Sequence, residues 1–126
     1  MANNKKKILL IEDDKFLSEM YATKLTENGL EVETAFHGDE GMAKIEDFKP
    51  DLVLLDIVLP KKDGFEILRT IKKDGSLKDA VVIILTNLGQ KEEVERGFNL
   101  GASDYIIKAH FTPTEVVTKV KKMLGI

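Results

Sequence analysis

The stretch Asp51–Pro60 reads DLVLLDIVLP. Leu52, Val53, Leu54 and Leu55 form a continuous apolar run, the pattern of a strand covered on both faces. Asp56 interrupts it, and Ile57, Val58 and Leu59 resume it. An ionised carboxylate in apolar surroundings is costly unless it is paired, hydrated or bound to a metal. The run therefore reads as a buried strand that ends at Asp56, on a rim where such partners are available.

The same grammar extends in both directions. Ile8-Leu9-Leu10-Ile11 and Val81 to Leu85 are further buried runs, Glu31 to Phe36 alternates as a more exposed strand, and Tyr105-Ile106-Ile107 is a short one. Between them lie apolar residues at helical spacing. These are Phe16, Leu17, Met20, Tyr21 and Leu25, stopped by Asn28-Gly29; Met42, Ala43 and Ile45 within Asp39 to Phe48; Phe65, Leu68 and Ile71; and Val94, Phe98 and Leu100, ending at Gly101. Thr112 reads as the N-cap and Pro113 as the first turn of a last helix carrying Val116, Val117, Val120 and Leu124. Five strands alternating with five helices predict an α/β fold, a parallel sheet with helices on both faces.

Composition bounds the rest. The chain has 126 residues, enough for one sizeable core, and is read as a single domain over 1–126. Asn3 to Lys7 is expected to be a solvated tail, with residues 1–5 disordered. The net charge of −3 disfavours a non-specific nucleic-acid or anionic-membrane binder. Absence of cysteine excludes disulfides and thiolate metal sites. The apolar run near the start is too short for a signal-peptide core or a membrane span, so a cytoplasmic location is expected.

Parallel strands bring their carboxyl ends to one edge, where open α/β sheets bind ligands. Here those ends carry Glu12-Asp13-Asp14, Asp56, Thr86 and Lys108. Taken singly, each has a bland reading. An acidic run caps the next helix, a role best suited to Asp14, and an Asp after a strand is often a turn residue. Together they make a site. Clustered carboxylates repel, and a hard divalent cation such as Mg²⁺ removes that repulsion using a few oxygen ligands and its own waters. A carboxylate oxygen is also a nucleophile toward phosphorus, and a lysine ammonium with a threonine hydroxyl compensates the charge on the transferred group.

The segments ILLIEDD, DLVLLDIVLPKKDG, VVIILT and GASDYIIK, in this order, resemble the receiver domain of two-component response regulators. The resemblance runs from about Lys6 to Leu124 and implies a flavodoxin-like three-layer sandwich with strand order 2-1-3-4-5. It implies Asp56 as phosphoacceptor. Mg²⁺ would be held by Asp13 directly, by Glu12 through water, by Asp56 and by the backbone carbonyl of Val58. Lys108 would pair with the phosphoryl group, Thr86 would hydrogen-bond it, and Tyr105 would turn inward on activation. Pro60 and Gly64 match the loop after the acceptor strand, where Gly permits the turn. The implied partners are a sensor histidine kinase or histidine phosphotransfer protein and a downstream protein target, with no direct nucleic-acid contact and no membrane. The chain would act through protein contact as a stand-alone regulator or phosphorelay intermediate, complete as given, monomeric or dimerising on phosphorylation.

The sequence departs from that pattern in three ways. Ala109 follows Lys108 where the family has a cis-bonded Pro; a non-proline cis bond costs about 3 kcal/mol, so a trans, rearranged loop is expected. Asn87 stands where Ala or Gly is usual and narrows access to Asp56, while Val58 and Leu88 replace polar groups that tune hydrolysis. Other readings are weighed alongside. A haloacid-dehalogenase-type phosphatase needs a second Asp two residues after the first, which here is Val58, and a flavodoxin-like carrier needs a phosphate loop where Glu12-Asp13-Asp14 would repel phosphate. A pseudo-receiver that is never phosphorylated stays open. Tyr105 has a purely structural reading as an aromatic on the sheet edge, and His37 and His110 are read as surface loop residues.

Overall fold

The computed structural model describes residues 5–59, 63–73, 79–87 and 89–126. Strands β1 (Lys7–Ile11), β2 (Glu31–Ala35), β3 (Leu52–Leu55), β4 (Val81–Thr86) and β5 (Asp104–Ile107) form one sheet. All pairs are parallel and the order is β2-β1-β3-β4-β5. Helices α1 (Lys15–Glu27), α2 (Gly38–Phe48), α3 (Gly64–Lys73), α4 (Lys91–Asn99) and α5 (Pro113–Leu124) connect them. This is the flavodoxin-like three-layer arrangement, with the order reversing between β1 and β3.

The continuous apolar runs resolve into two faces by strand alternation. Leu9, Ile11, Val53, Leu55, Val82 and Ile84 pack with Ile45 and Phe48 of α2 and with Phe65, Leu68 and Ile71 of α3. Ile8, Leu10, Leu52, Leu54, Ile83 and Leu85 pack with Tyr21 and Leu25 of α1 and with Val116, Val117 and Val120 of α5. Neither face of a central strand meets water, which explains the unbroken Leu/Ile/Val composition.

Helix ends follow the sequence signals. Asp14 caps α1, its carboxylate accepting from the Leu17 N–H at 3.1 Å. Gly29 follows the C-cap at φ +86°, where a side chain would be strained. Thr112 and Glu115 form a reciprocal capping box on α5.

Several expectations change. Lys7 is not in a tail: it opens β1, its N–H donates to Asp51 at 2.8 Å and its ammonium lies 5.3 Å from the Phe48 ring centre. Lys6 pairs too, its carbonyl accepting from Glu31. Residues 1–4 lie outside the described residues, as do Pro60, Lys61, Lys62 and Leu88. Phe16 and Phe98, two of the apolar residues at helical spacing, are 76% and 46% exposed, and Ala43 is also exposed. In α4 it is Gly97 that is buried, seated against Ile84 and Tyr105. His37 is not a plain loop residue, since its Nδ1 accepts from the Glu40 N–H and caps α2.

Ser18 faces inward on α1, 1% exposed, and its hydroxyl has no hydrogen-bond partner among the described residues. A buried hydroxyl without a partner carries its desolvation cost uncompensated. Ser18→Ala is expected to raise unfolding stability by about 1 kcal/mol, measured as a higher urea midpoint at unchanged slope. A lower midpoint would show that the hydroxyl is satisfied in solution.

Candidate functional site

Sheet register assembles the site. Ile11 lies level with Ala35 and Leu55, and Leu55 with Ile84. One further hydrogen bond extends each ladder, from the Glu12 N–H to the Ala35 carbonyl and from the Asp56 N–H to the Ile11 carbonyl, both at 3.0 Å. Glu12 and Asp56 are thereby fixed on adjacent strand ends at the order reversal. Thr86 closes β4 and Lys108 follows β5, so both point of the chain and edge of the sheet coincide as the sequence predicts.

A cavity of about 370 Å³ opens here, lined by Glu12, Asp13, Asp56, Val58, Thr86, Asn87 and Lys108 together with Asp14 and Leu17. Glu12, Asp56 and Thr86 are buried, while Asp13, Val58 and Asn87 are exposed at the mouth. Glu12, Asp13 and Asp56 each offer a carboxylate oxygen within 4.8 Å of the others. Three hard oxygen donors at this separation suit a hard divalent cation, and the structure thus brings together an acidic cluster able to bind a metal ion.

Lys108 balances the inner part of the cluster. Its ammonium donates to Glu12 Oε1 and, at 3.0 Å, to Asp56 Oδ2. The other oxygens are held by backbone: Glu12 Oε2 accepts from the Asp14 N–H at 3.1 Å, and Asp56 Oδ1 from the Val58 N–H at 2.9 Å. Burial pushes the Glu12 carboxyl up, and Lys108 and the Asp14 N–H offset this only in part. Burial works against the Lys108 ammonium, but its bonds and charge interactions with Glu12 and Asp56 outweigh that and raise its pKa.

Ala109 changes the loop without displacing the lysine. No cis peptide bond occurs among the described residues, so Lys108–Ala109 is trans, and Lys108–His110 forms a 3₁₀ turn. His110 is exposed and does not line the cavity. Gly64 corrects a different expectation: it opens α3 with no positive φ. What it supplies is space, because a Cβ there would fall 2.4 Å from Ile57 Cα and 2.8 Å from the Asp56 carbonyl oxygen. Tyr105 stands outside the cavity lining, partly buried against the core.

Sequence reasoning missed two contributors. The Val58 N–H grips the Asp56 carboxylate, a backbone contact that residue identity does not encode. Tyr21, on the buried face of α1, feels the charges of Lys108, Glu12 and Asp56, and the pKa of its phenol is raised mainly by burial. Its helical spacing gave only a core residue.

Residues 8–121 match the family model described as the response regulator receiver domain. The chain belongs to this family, the receiver domains of two-component signalling. It is 36% identical over 118 residues to the DNA-binding dual master transcriptional regulator RpaA of Synechocystis sp., covering 94% of this chain and 48% of that protein. It is 39% identical over 119 residues to the phosphate regulon transcriptional regulatory protein PhoB of Pseudomonas aeruginosa, covering 94% and 52%. A CheY-like receiver domain protein from Methanospirillum hungatei superposes with a TM-score of 0.90 at 33% identity, covering 97% and 95% of the two chains. The chain spans about half the length of the curated relatives it matches. Among the described residues, no helix is long and apolar enough to cross a membrane.

The Tyr105 phenol is pushed up to about 12, by burial first and then by the charges of Glu93 and Asp56. Its folded pKa exceeds the ordinary value near 10, so its contribution to stability is full below pH 10 and is lost as pH rises through 12. Absorbance at 295 nm is expected to show less phenolate in the native protein at pH 10.5 than in the urea-unfolded chain. Equal ionisation in both would contradict this environment for the ring.

Proposed function

We propose that this chain is a phosphorylation-dependent switch in which Asp56 accepts a phosphoryl group from a histidine kinase or histidine phosphotransfer protein. The observation that carries the reading is the pairing of a buried Asp56 with Lys108 at 3.0 Å, beside Glu12 and Asp13 in one open cavity. An Asp56 oxygen attacks phosphorus, the bond from phosphorus to the donor imidazole nitrogen breaks, and the imidazole leaves with the electron pair and takes up a proton. Lys108, the Val58 N–H and the Thr86 hydroxyl stand at the same rim to meet the oxygens of the transferred group. Asp13, Glu12, Asp56 and the Val58 carbonyl would hold Mg²⁺, which supplies charge neutralisation during transfer.

The product carries extra negative charge on Asp56. Thr86, which is fully buried, and Tyr105, whose ring lies against α4 beside Gly97, are the groups that respond and alter the surface of α4, β5 and α5. On this reading the chain assists only its own phosphorylation and dephosphorylation and turns over no external substrate. Residues 1–126 form one receiver domain in the cytoplasm, acting on a downstream protein as a monomer or a phosphorylation-dependent dimer. RpaA is named as DNA-binding, so the expectation of no nucleic-acid contact draws no support from that relative. The trans 3₁₀ turn leaves Lys108 in contact with Asp56, which favours a working acceptor over a pseudo-receiver.

Incubation with acetyl phosphate and Mg²⁺, read by intact mass, is expected to add one phosphoryl group. The addition should vanish with chelator and in Asp56→Asn. A modification that persists in Asp56→Asn places the acceptor elsewhere, and no modification from any donor supports the pseudo-receiver.

A further inference from the structure

Helix α4 is lightly attached. Of its residues only Gly97 is buried, and its N-cap Gln90 makes no side-chain hydrogen bond to the helix. Gly97 seats the helix against Ile84 and Tyr105. The neighbouring Arg96 makes a separate contact, its guanidinium 4.2 Å from the centre of the Phe65 ring in the first turn of α3. Phe65 is 3% exposed and directly follows Gly64.

From Phe65 to the acceptor there is no slack. The Gly64 N–H donates to the Ile57 carbonyl at 3.2 Å, and the Gly64 backbone approaches Ile57 and the Asp56 carbonyl too closely for a Cβ to fit. The Phe65 N–H is held in turn by the Asp63 carboxylate at 2.9 Å. Ile57 leads directly to Val58, whose N–H holds Asp56 Oδ1. Phe65 is thus joined through close-packed backbone to a donor on the Asp56 carboxylate.

We propose that Arg96 is a positioning residue for the Ile57-Val58 backbone beside Asp56, acting through Phe65. By stacking on the ring it holds Gly64 against Ile57 and keeps the Val58 N–H aimed at Asp56. This rests on Asp56 being the acceptor and adds a contact from α4 to the loop that is distinct from the route through Thr86 and Tyr105. Linkage is reciprocal, so a residue that positions the loop from α4 also lets the loop report to α4.

Arg96→Met keeps the apolar stem and removes the guanidinium. Its exposed site makes misfolding a small risk, and Lys91→Met removes the same charge from α4 away from Phe65. In the metal-free protein, Arg96→Met is expected to move the Val58 and Gly64 amide resonances, and Lys91→Met is expected to leave them in place. Apparent affinity for beryllofluoride with Mg²⁺ is expected to weaken about two- to five-fold in Arg96→Met, the factor corresponding to an exposed cation–π pair. Phe65→Leu should give a similar loss, with the double variant no worse than either single. Unmoved amides, an unchanged or tighter affinity, or an equal effect from Lys91→Met overturns the proposal. The amide measurement uses no ligand, so it judges Arg96 separately from the phosphoacceptor reading, which fails if the wild type neither binds beryllofluoride nor takes up a phosphoryl group.

Discussion

Everything at the carboxyl edge of this sheet depends on how it carries acidic groups at a buried position. Glu12 and Asp56 follow adjacent parallel strands, and ladder hydrogen bonds that neither side chain controls fix their separation. Removing two carboxylates from water is costly unless opposite charge and hydrogen bonds are supplied in good geometry. Lys108 comes from the far side of the sheet to bridge them, and the Asp14 and Val58 N–H groups take the remaining oxygens. Asp13, exposed at the mouth, leaves the site open to a cation.

The sheet itself was legible because burial on both faces leaves an unmistakable composition. Continuous Leu, Ile and Val runs fix β1, β3 and β4, and parallel pairing then forces their following residues to one edge. That is why Glu12, Asp13, Asp56, Thr86 and Lys108 converge as their positions in the sequence imply. Asp14 and Thr112 cap helices as their residue types suggest, since a short oxygen-bearing side chain is what an open helix N-terminus takes.

Other features escaped for physical reasons. Spacing cannot tell which of several apolar stripes on a helix meets the sheet, so Phe16 and Phe98 share the helical spacing of their neighbours yet are exposed. Gly97 and Gly64 were unreadable as packing residues because their role is the absence of a side chain where another backbone or ring comes close. The His37 cap required an imidazole nitrogen oriented toward Glu40, which composition does not give. The Val58 grip on Asp56 belongs to the peptide group, so its replacement of a polar side chain says nothing about it.

The central claim is that separate strands present carboxylates which share one divalent ion. Substoichiometric Mn²⁺, a paramagnetic stand-in with similar oxygen preference, tests it most directly through amide line broadening. The account predicts broadening centred on Glu12, Asp13, Asp56 and Val58, reversed by excess Mg²⁺ and lost in Asp13→Asn. Broadening centred elsewhere, or none at these four residues, would contradict it.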